Sequence, residues 1–320
     1  MVKGSARVTF LGTGASSPTK NRWLPGILVR IRNEFLLLDC GEGVQYRILT
    51  AGLRVNKLSA ILITHLHGDH VYGLPGLLES LNNWGRIKPL TVVGPQDLLA
   101  FLESLRLRGK LNYEIVFVSA RDKLSFRGEG YTVKAVAVMH GLEAYGYVIV
   151  EDPLPGEFNA AKAEALGIPP GPERMRLVQG YPVTLPNGRV VHPSEVVSPS
   201  RRGLKIVYSG DTTPCTTLVE AARDADLLIH EATFASGHVY EAENSFHSTS
   251  VDAAQTAQKA SVKFLFLTHF SNRYSEGDLS QLLSEARSIF KETFLARDLL
   301  QLELRRLYMN GLTIWFNNLS

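Results

Sequence analysis

The chain has 320 residues, 45% hydrophobic and 20% charged, enough to bury a sizeable core and too apolar for wholesale disorder. A formal net charge of +3 permits a polyanionic partner without demanding one. Two cysteines, Cys40 and Cys215, exclude a disulfide framework or a Cys-rich zinc module and fit a reducing compartment.

In chain order, 8–11 reads as a strand that breaks at Gly12-Thr13-Gly14. That turn lacks the full dinucleotide fingerprint, and Pro18 interrupts where a phosphate-binding helix would begin, so a nicotinamide cofactor is not expected. Residues 27–31 and 35–38 read as a hairpin around Arg32-Asn33, and 45–51 as a short helix closed by Gly52. The run AILIT over 60–64 is uniformly apolar, the mark of a strand covered on both faces. Helices are expected at 74–82, 96–105, 218–223, 251–259 and 279–291. Strands are expected at 90–93, 115–118, 132–138, 145–150, 205–209, 227–230 and 264–268. Repeated strand-then-helix order argues for α/β layers. No apolar run approaches the ~20 residues of a membrane span and no secretory h-region opens the chain, so a cytoplasmic protein without a membrane partner is expected.

Residues 151–200 depart from this pattern. They hold nine of the fifteen prolines, including Pro169-Pro170 and Gly171-Pro172. Such a run makes poor core strand or helix, and reads as an excursion that returns at Leu204, or else as an ordinary long surface loop.

The chemistry is concentrated in His65-Leu66-His67-Gly68-Asp69-His70, directly after the AILIT strand. Imidazole and carboxylate suit borderline divalent metals. At this spacing the four side chains cannot all reach one tetrahedral ion, and they divide naturally into His65 with His67 and Asp69 with His70. His140, Asp211 and His269 each follow the C-terminal end of an expected strand, where α/β sheets place ligands. Each alone is as readily a structural residue; beside a motif short of ligands they complete it. Two further clusters are His230-Glu231-Ala232-Thr233 and His247-Ser248-Thr249. His247 paired with Glu231 can protonate an alkoxide leaving group. Alternatively Ser248 or Thr249 caps the next helix and His247 faces solvent. His192 and His238 lie in polar loops and read as surface residues.

The HxHxDH motif, followed in order by His140, Asp211 and His269, resembles that of the metallo-β-lactamase superfamily. Within it, the chain resembles the ribonuclease Z family of tRNA 3′-processing endonucleases. The matching stretches include Phe10-Leu11-Gly12-Thr13-Gly14, Asp39-Cys40-Gly41-Glu42-Gly43, His140-Gly141, Ser209-Gly210-Asp211-Thr212, the HEAT element at 230–233 and the HST element at 247–249. The resemblance implies an αββα sandwich, one domain over 1–320 with an inserted flexible arm over 151–203. It implies two Zn²⁺ per subunit, with Mn²⁺ or Fe²⁺ also acceptable to such ligands. His65, His67 and His140 would hold one ion, Asp69, His70 and His269 the other, and Asp211 would bridge. Asp69 would orient or deprotonate the attacking water, and His247, supported by Glu231, would assist the leaving group. The arm would grip precursor tRNA with Gly171-Pro172 near its tip, although over 151–200 four basic residues face six acidic ones. Residues 18–22, with Arg22, resemble a loop that shapes the tRNA acceptor end, and 271–274, with Arg273, a substrate-phosphate contact. A homodimer is implied in the same way.

Further basic candidates for an RNA backbone are Arg86, Lys88, Arg106, Arg108, Lys110, Arg201, Arg202 and Lys205. Two competing expectations remain. One is a small-molecule phosphodiesterase, thioesterase or lactonase on the same dinuclear scaffold; the other is a non-catalytic RNA-binding relative.

Overall fold

The computed structural model describes residues 5–55, 57–105, 111–121, 125–306 and 311–317. The chain divides into two compact units, Asp152–Gly203 and the remainder.

The larger unit carries two sheets. The first has eight strands in the order Leu312–Asn317, Gln301–Arg306, Ser5–Gly12, Gly26–Ile31, Glu34–Leu38, Leu58–Leu62, Leu90–Gly94 and Ile115–Ser119. The second has seven, ordered Thr293–Leu295, Phe264–Thr268, Leu227–Glu231, Lys205–Tyr208, Tyr145–Glu151, Tyr131–Ala137 and Ser125–Gly128. Side-chain alternation decides the layers. Phe10, Val29, Leu36 and Leu62 of the first sheet meet Tyr147, Ile206, Ile229 and Phe266 of the second in one inter-sheet core. The intervening residues of the first sheet, Leu28, Leu37 and Ile61 among them, pack under helices Val44–Thr50, Leu74–Asn83 and Leu98–Ser104. Val207, Leu228 and Leu265 of the second pack under helices Thr216–Ala222, Ser250–Lys259 and Leu279–Ile289. The layers are therefore helix, sheet, sheet, helix, and strands apolar on both faces follow directly.

Most expected elements are present with shifted ends. The hairpin turns through Arg32 at φ 53°, a residue doing without the glycine that such a turn favours. Three strands for which the sequence reading made no expectation follow the helix expected at 279–291. They are Thr293–Leu295, Gln301–Arg306 and Leu312–Asn317, and Gln301–Arg306 pairs antiparallel with Ser5–Gly12. Among the described residues, no helix is long and apolar enough to cross a membrane.

The smaller unit corrects the expectation of a segment poor in regular structure. It contains helices Ala160–Ala165, Pro172–Val178 and Pro193–Val196 and the paired strands Val183–Thr184 and Val190–Val191. Pro172 and Pro193 stand in the first turn of their helices, where a missing N–H costs nothing. Ala163, Ile168, Leu177, Val183, Val191 and Val196 are buried together as its own core.

In the larger unit the strands Tyr131–Ala137, Lys205–Tyr208, Leu227–Glu231 and Phe264–Thr268 run in one direction. The chain leaves each at the same edge, and there the polar residues singled out above collect.

Candidate metal centre

The loop after Leu58–Leu62 carries the HxHxDH motif into a one-turn helix, Gly68–Val71. The turn after Glu34–Leu38 clamps it: Cys40 N–H donates to His70 O at 2.8 Å, and Gly73 N–H to Cys40 O at 2.9 Å. Gly73 is required there, because a Cβ would come within 2.0 Å of Gly41 O.

Two groups of ligand atoms converge. His67 Nδ1 lies 3.1 Å from both His65 Nε2 and His140 Nε2. Asp69 Oδ2 lies 3.6 Å from His70 Nε2 and 3.5 Å from His269 Nε2, which are 3.2 Å apart. Asp211 Oδ2 stands between the groups, 3.6 Å from His65 Nε2, 3.2 Å from His70 Nε2 and 3.3 Å from His269 Nε2. Zinc–nitrogen bonds set the edges of a tetrahedral ligand shell at about 3.3 Å, so these separations fit metal coordination, with Asp211 within reach of both groups.

The outer hydrogen bonds make the same case. His140 Nδ1 donates to Phe246 O at 2.8 Å and His70 Nδ1 to Asp39 Oδ2 at 2.8 Å. His65 Nδ1 meets Thr64 Oγ1, whose own proton goes to Asp39. His269 Nδ1 meets Thr233 Oγ1, whose proton goes to Glu231. Four Nε2 atoms are thereby turned toward one another and toward Asp211, an arrangement that a bound cation would complete. Asp211 Oδ1 is buried without a hydrogen-bond partner, a second sign that a cation belongs there. Burial keeps His65, His67 and His140 below the usual imidazole range, and hence neutral as ligands must be. Burial alone would raise Asp69, but His70 and His269 outweigh it and hold the carboxyl low.

Beside the metal positions, His247 Nδ1 donates to Glu231 Oε1 at 2.9 Å. Thr212 N–H and Thr233 Oγ1–H also donate to Glu231, which fixes the carboxylate. Burial opposes a charge on His247, yet Glu231 prevails and pushes its pKa up to about 9. The alternatives weighed for the HST element divide: Thr249 does cap helix Ser250–Lys259, in a reciprocal box with Asp252, but His247 is turned inward.

Arg22 is 4% exposed. Its guanidinium bonds Glu276 Oε1 at 3.0 Å, Ser271 O at 3.3 Å and Tyr274 O, stapling its own loop to the one after His269. Arg273 lies over the Phe234 ring, 4.9 Å from its centroid, with its side chain 39% exposed. Gly171, at φ 147°, and Pro172 start a helix of the smaller unit. Arg86, Arg201 and Lys205 are engaged with Pro89 O, Glu157 and Arg223 O, whereas Lys88 and Arg202 are exposed. Arg106, Arg108 and Lys110 lie outside the described residues. His192 is exposed, but His238 is half-buried with Nδ1 2.9 Å from Tyr274 Oη, so its surface reading is corrected.

Sequence reasoning assigned no role to Asp39, Thr64, Thr233, Ser16 or Phe246. Asp39 carried one signal, a carboxylate at the C-terminal end of an apolar strand. The others act through backbone groups or hydroxyls that no residue pattern marks.

Comparison with known proteins places this geometry. A family model described as Anti-Pycsar protein Apyc1 matches residues 6–143. Ribonuclease Z of Methanosarcina acetivorans is 42% identical over 300 residues, covering 93% of this chain and 98% of that protein. The structure of human tRNase Z, short form, superposes with a TM-score of 0.65 at 28% identity, over 92% of this chain and 98% of that one. The Bacillus subtilis metallo-β-lactamase fold protein YhfI gives a TM-score of 0.66 at 20% identity, over 93% and 99%, and speaks to the fold. With full-length identity of this order, the chain belongs to the ribonuclease Z family of endoribonucleases, built on the metallo-β-lactamase fold.

Proposed function

We propose that the chain is a zinc-dependent endoribonuclease that removes the 3′ trailer from precursor tRNA. The observation that carries this is the meeting of seven metal-ligand side chains with a buried, hydrogen-bonded His247–Glu231 pair. His65, His67 and His140 would hold one ion and Asp69, His70 and His269 the other, with Asp211 within reach of both groups. Two divalent ions so placed supply Lewis-acid stabilisation of the phosphate and a water nucleophile at neutral pH; Mn²⁺ or Fe²⁺ would satisfy the same ligands.

The chain's own residues do the rest. The Asp69 carboxylate, anchored through Oδ2 by the Ser16 N–H at 2.7 Å, orients the attacking water and takes its proton. Water oxygen bonds to phosphorus in line as the P–O3′ bond breaks. His247, its Nδ1 tied to Glu231, delivers a proton from Nε2 to the departing O3′. The products are a tRNA 3′-hydroxyl and a 5′-phosphorylated trailer, with no 2′-hydroxyl nucleophile involved. Arg273 is placed to meet a substrate phosphate, and Arg22 acts by holding that loop in position. The smaller unit, with Gly171-Pro172, serves as the tRNA-gripping arm chiefly through backbone and shape contacts, since six basic residues against five acidic ones over 152–203 leave it only weakly positive. The working form is a cytoplasmic homodimer, a location that the unpaired Cys40 and Cys215 suit.

The test is cleavage of a precursor tRNA bearing a 3′ trailer by the zinc-loaded protein and by a deletion of 156–196, with a small chromogenic phosphodiester in parallel. Loss of tRNA cleavage in the deletion, with the small ester still hydrolysed, is the expected result. If the intact protein ignores the tRNA yet turns over the small ester, it is a small-molecule hydrolase. If it does neither while holding its metals, it is a non-catalytic relative.

A further inference from the structure

Phe246 stands in a conformation its side chain does not favour. Its φ is +56°, in the left-handed region that bulky residues rarely enter, and its ring is 48% exposed. Strain of this kind persists where surrounding contacts impose it, and it gathers at functional sites. One contact is plain: the Phe246 carbonyl accepts the His140 Nδ1 proton at 2.8 Å, which orients a metal ligand. That duty belongs to the backbone and would be met by glycine without strain. The aromatic side chain therefore needs a separate explanation, and burial does not supply it.

The position of the ring supplies one. It lies against Gly141, where an added Cβ would come within 3.2 Å of Phe246 Cδ2. The residue after Phe246 is His247, whose imidazole centroid is 5.1 Å from that of His140. The exposed Phe246 ring therefore packs on Gly141, the residue that follows His140, and its own residue immediately precedes His247 in the chain.

We propose that the Phe246 ring is a stacking platform for the base of the nucleotide whose O3′ departs, the last nucleotide of the mature tRNA. The inference rests on the precursor-tRNA reading above and adds a subsite to it. Any base offers a π-face, so a stacking contact accepts all four at this position while demanding that a base be present. Sequence tolerance with strict placement of the scissile phosphate is what such a platform provides.

The experiment compares precursor tRNA carrying its ordinary nucleotide with the same RNA made abasic at that single residue. Wild type and Phe246→Gly, Phe246→Leu and Phe246→Trp variants are each assayed for kcat/KM. Each rate is divided by that variant's own rate on bis(p-nitrophenyl) phosphate, so any disturbance of the metals cancels. Wild type is expected to lose roughly 5- to 150-fold on the abasic RNA, the span of one base–aromatic stack. Phe246→Trp should keep that penalty, whereas in Phe246→Gly it should fall close to unity, with Phe246→Leu between. A wild-type enzyme indifferent to the abasic residue overturns the proposal, as does an undiminished penalty in Phe246→Gly. Failure of wild type to cut the ordinary precursor overturns both this subsite and the tRNA reading, whereas normal cutting with no abasic effect removes the subsite alone.

Discussion

Asp39 lies fully buried beneath His70, its Oδ2 2.8 Å from the imidazole Nδ1. The same carboxylate accepts from Thr64 N–H and Oγ1–H and from Tyr208 Oη–H, so both sheets meet on one side chain. Replacing it leaves His70 free to turn and Thr64 without its acceptor. Asp39→Ala should lower metal affinity by about 10- to 100-fold, the usual effect of losing such an outer partner. Competition with a chelator of known affinity measures it; unchanged affinity would show that packing alone orients His70.

His247 is expected to act on the rate and not on metal occupancy. His247→Ala should slow single-turnover cleavage of precursor tRNA by about 10²- to 10⁴-fold, the range for a general acid, with metal content near that of wild type. Loss of metal in proportion to activity would make His247 a ligand and remove its assigned role.

The pair also predicts a pH dependence for the metal-free protein. With its pKa raised to about 9, His247 contributes stability that is fully present below its unfolded value and declines as pH rises through 9. A histidine NMR signal titrating near 9 would be expected, moving down in Glu231→Gln. A signal near the ordinary imidazole value in both proteins would refute the pairing.

Helix Ser250–Lys259 starts immediately after the HST element, and Thr249 secures its first turn with Asp252. Removing the hydroxyl in Thr249→Ala should cost about 1 kcal/mol, as for other N-caps. Equilibrium denaturant unfolding checks it, and an unchanged midpoint would mean that helix packing alone holds the turn.

The core of the smaller unit offers a selective lesion. Leu177 is 0% exposed among apolar residues of that unit alone. Leu177→Ala should weaken it by about 2–5 kcal/mol. Hydrogen exchange should speed up across 152–203 and stay unchanged in strands such as Gly26–Ile31. Equal acceleration in both would mean that the two units unfold together.

By itself, the amino-acid sequence determined the α/β alternation, the buried strands and the residues offered as ligands. Those features are local: four candidate ligands occupy six positions, and His140, Asp211 and His269 each follow an apolar run. The strand Gln301–Arg306 escaped reading because its alternation covers only Leu302 and Leu304, and a partner nearly three hundred positions away completes it. The helices Pro172–Val178 and Pro193–Val196 escaped because prolines that break a helix interior are harmless in a first turn.

Only the tertiary structure decided how the ligands are held. Ser16 reaches Asp69, Thr233 reaches His269 and the Phe246 carbonyl reaches His140 across long separations in sequence, through backbone and hydroxyl groups that composition does not distinguish. Arg22 shows the same divide from the other side. A basic residue in a polar loop reads as a substrate contact, yet the fold surrounds its guanidinium with carbonyls and a carboxylate and turns it inward. Ligand type is a property of single residues, whereas ligand orientation depends on contacts that exist only once both sheets have closed on their common core.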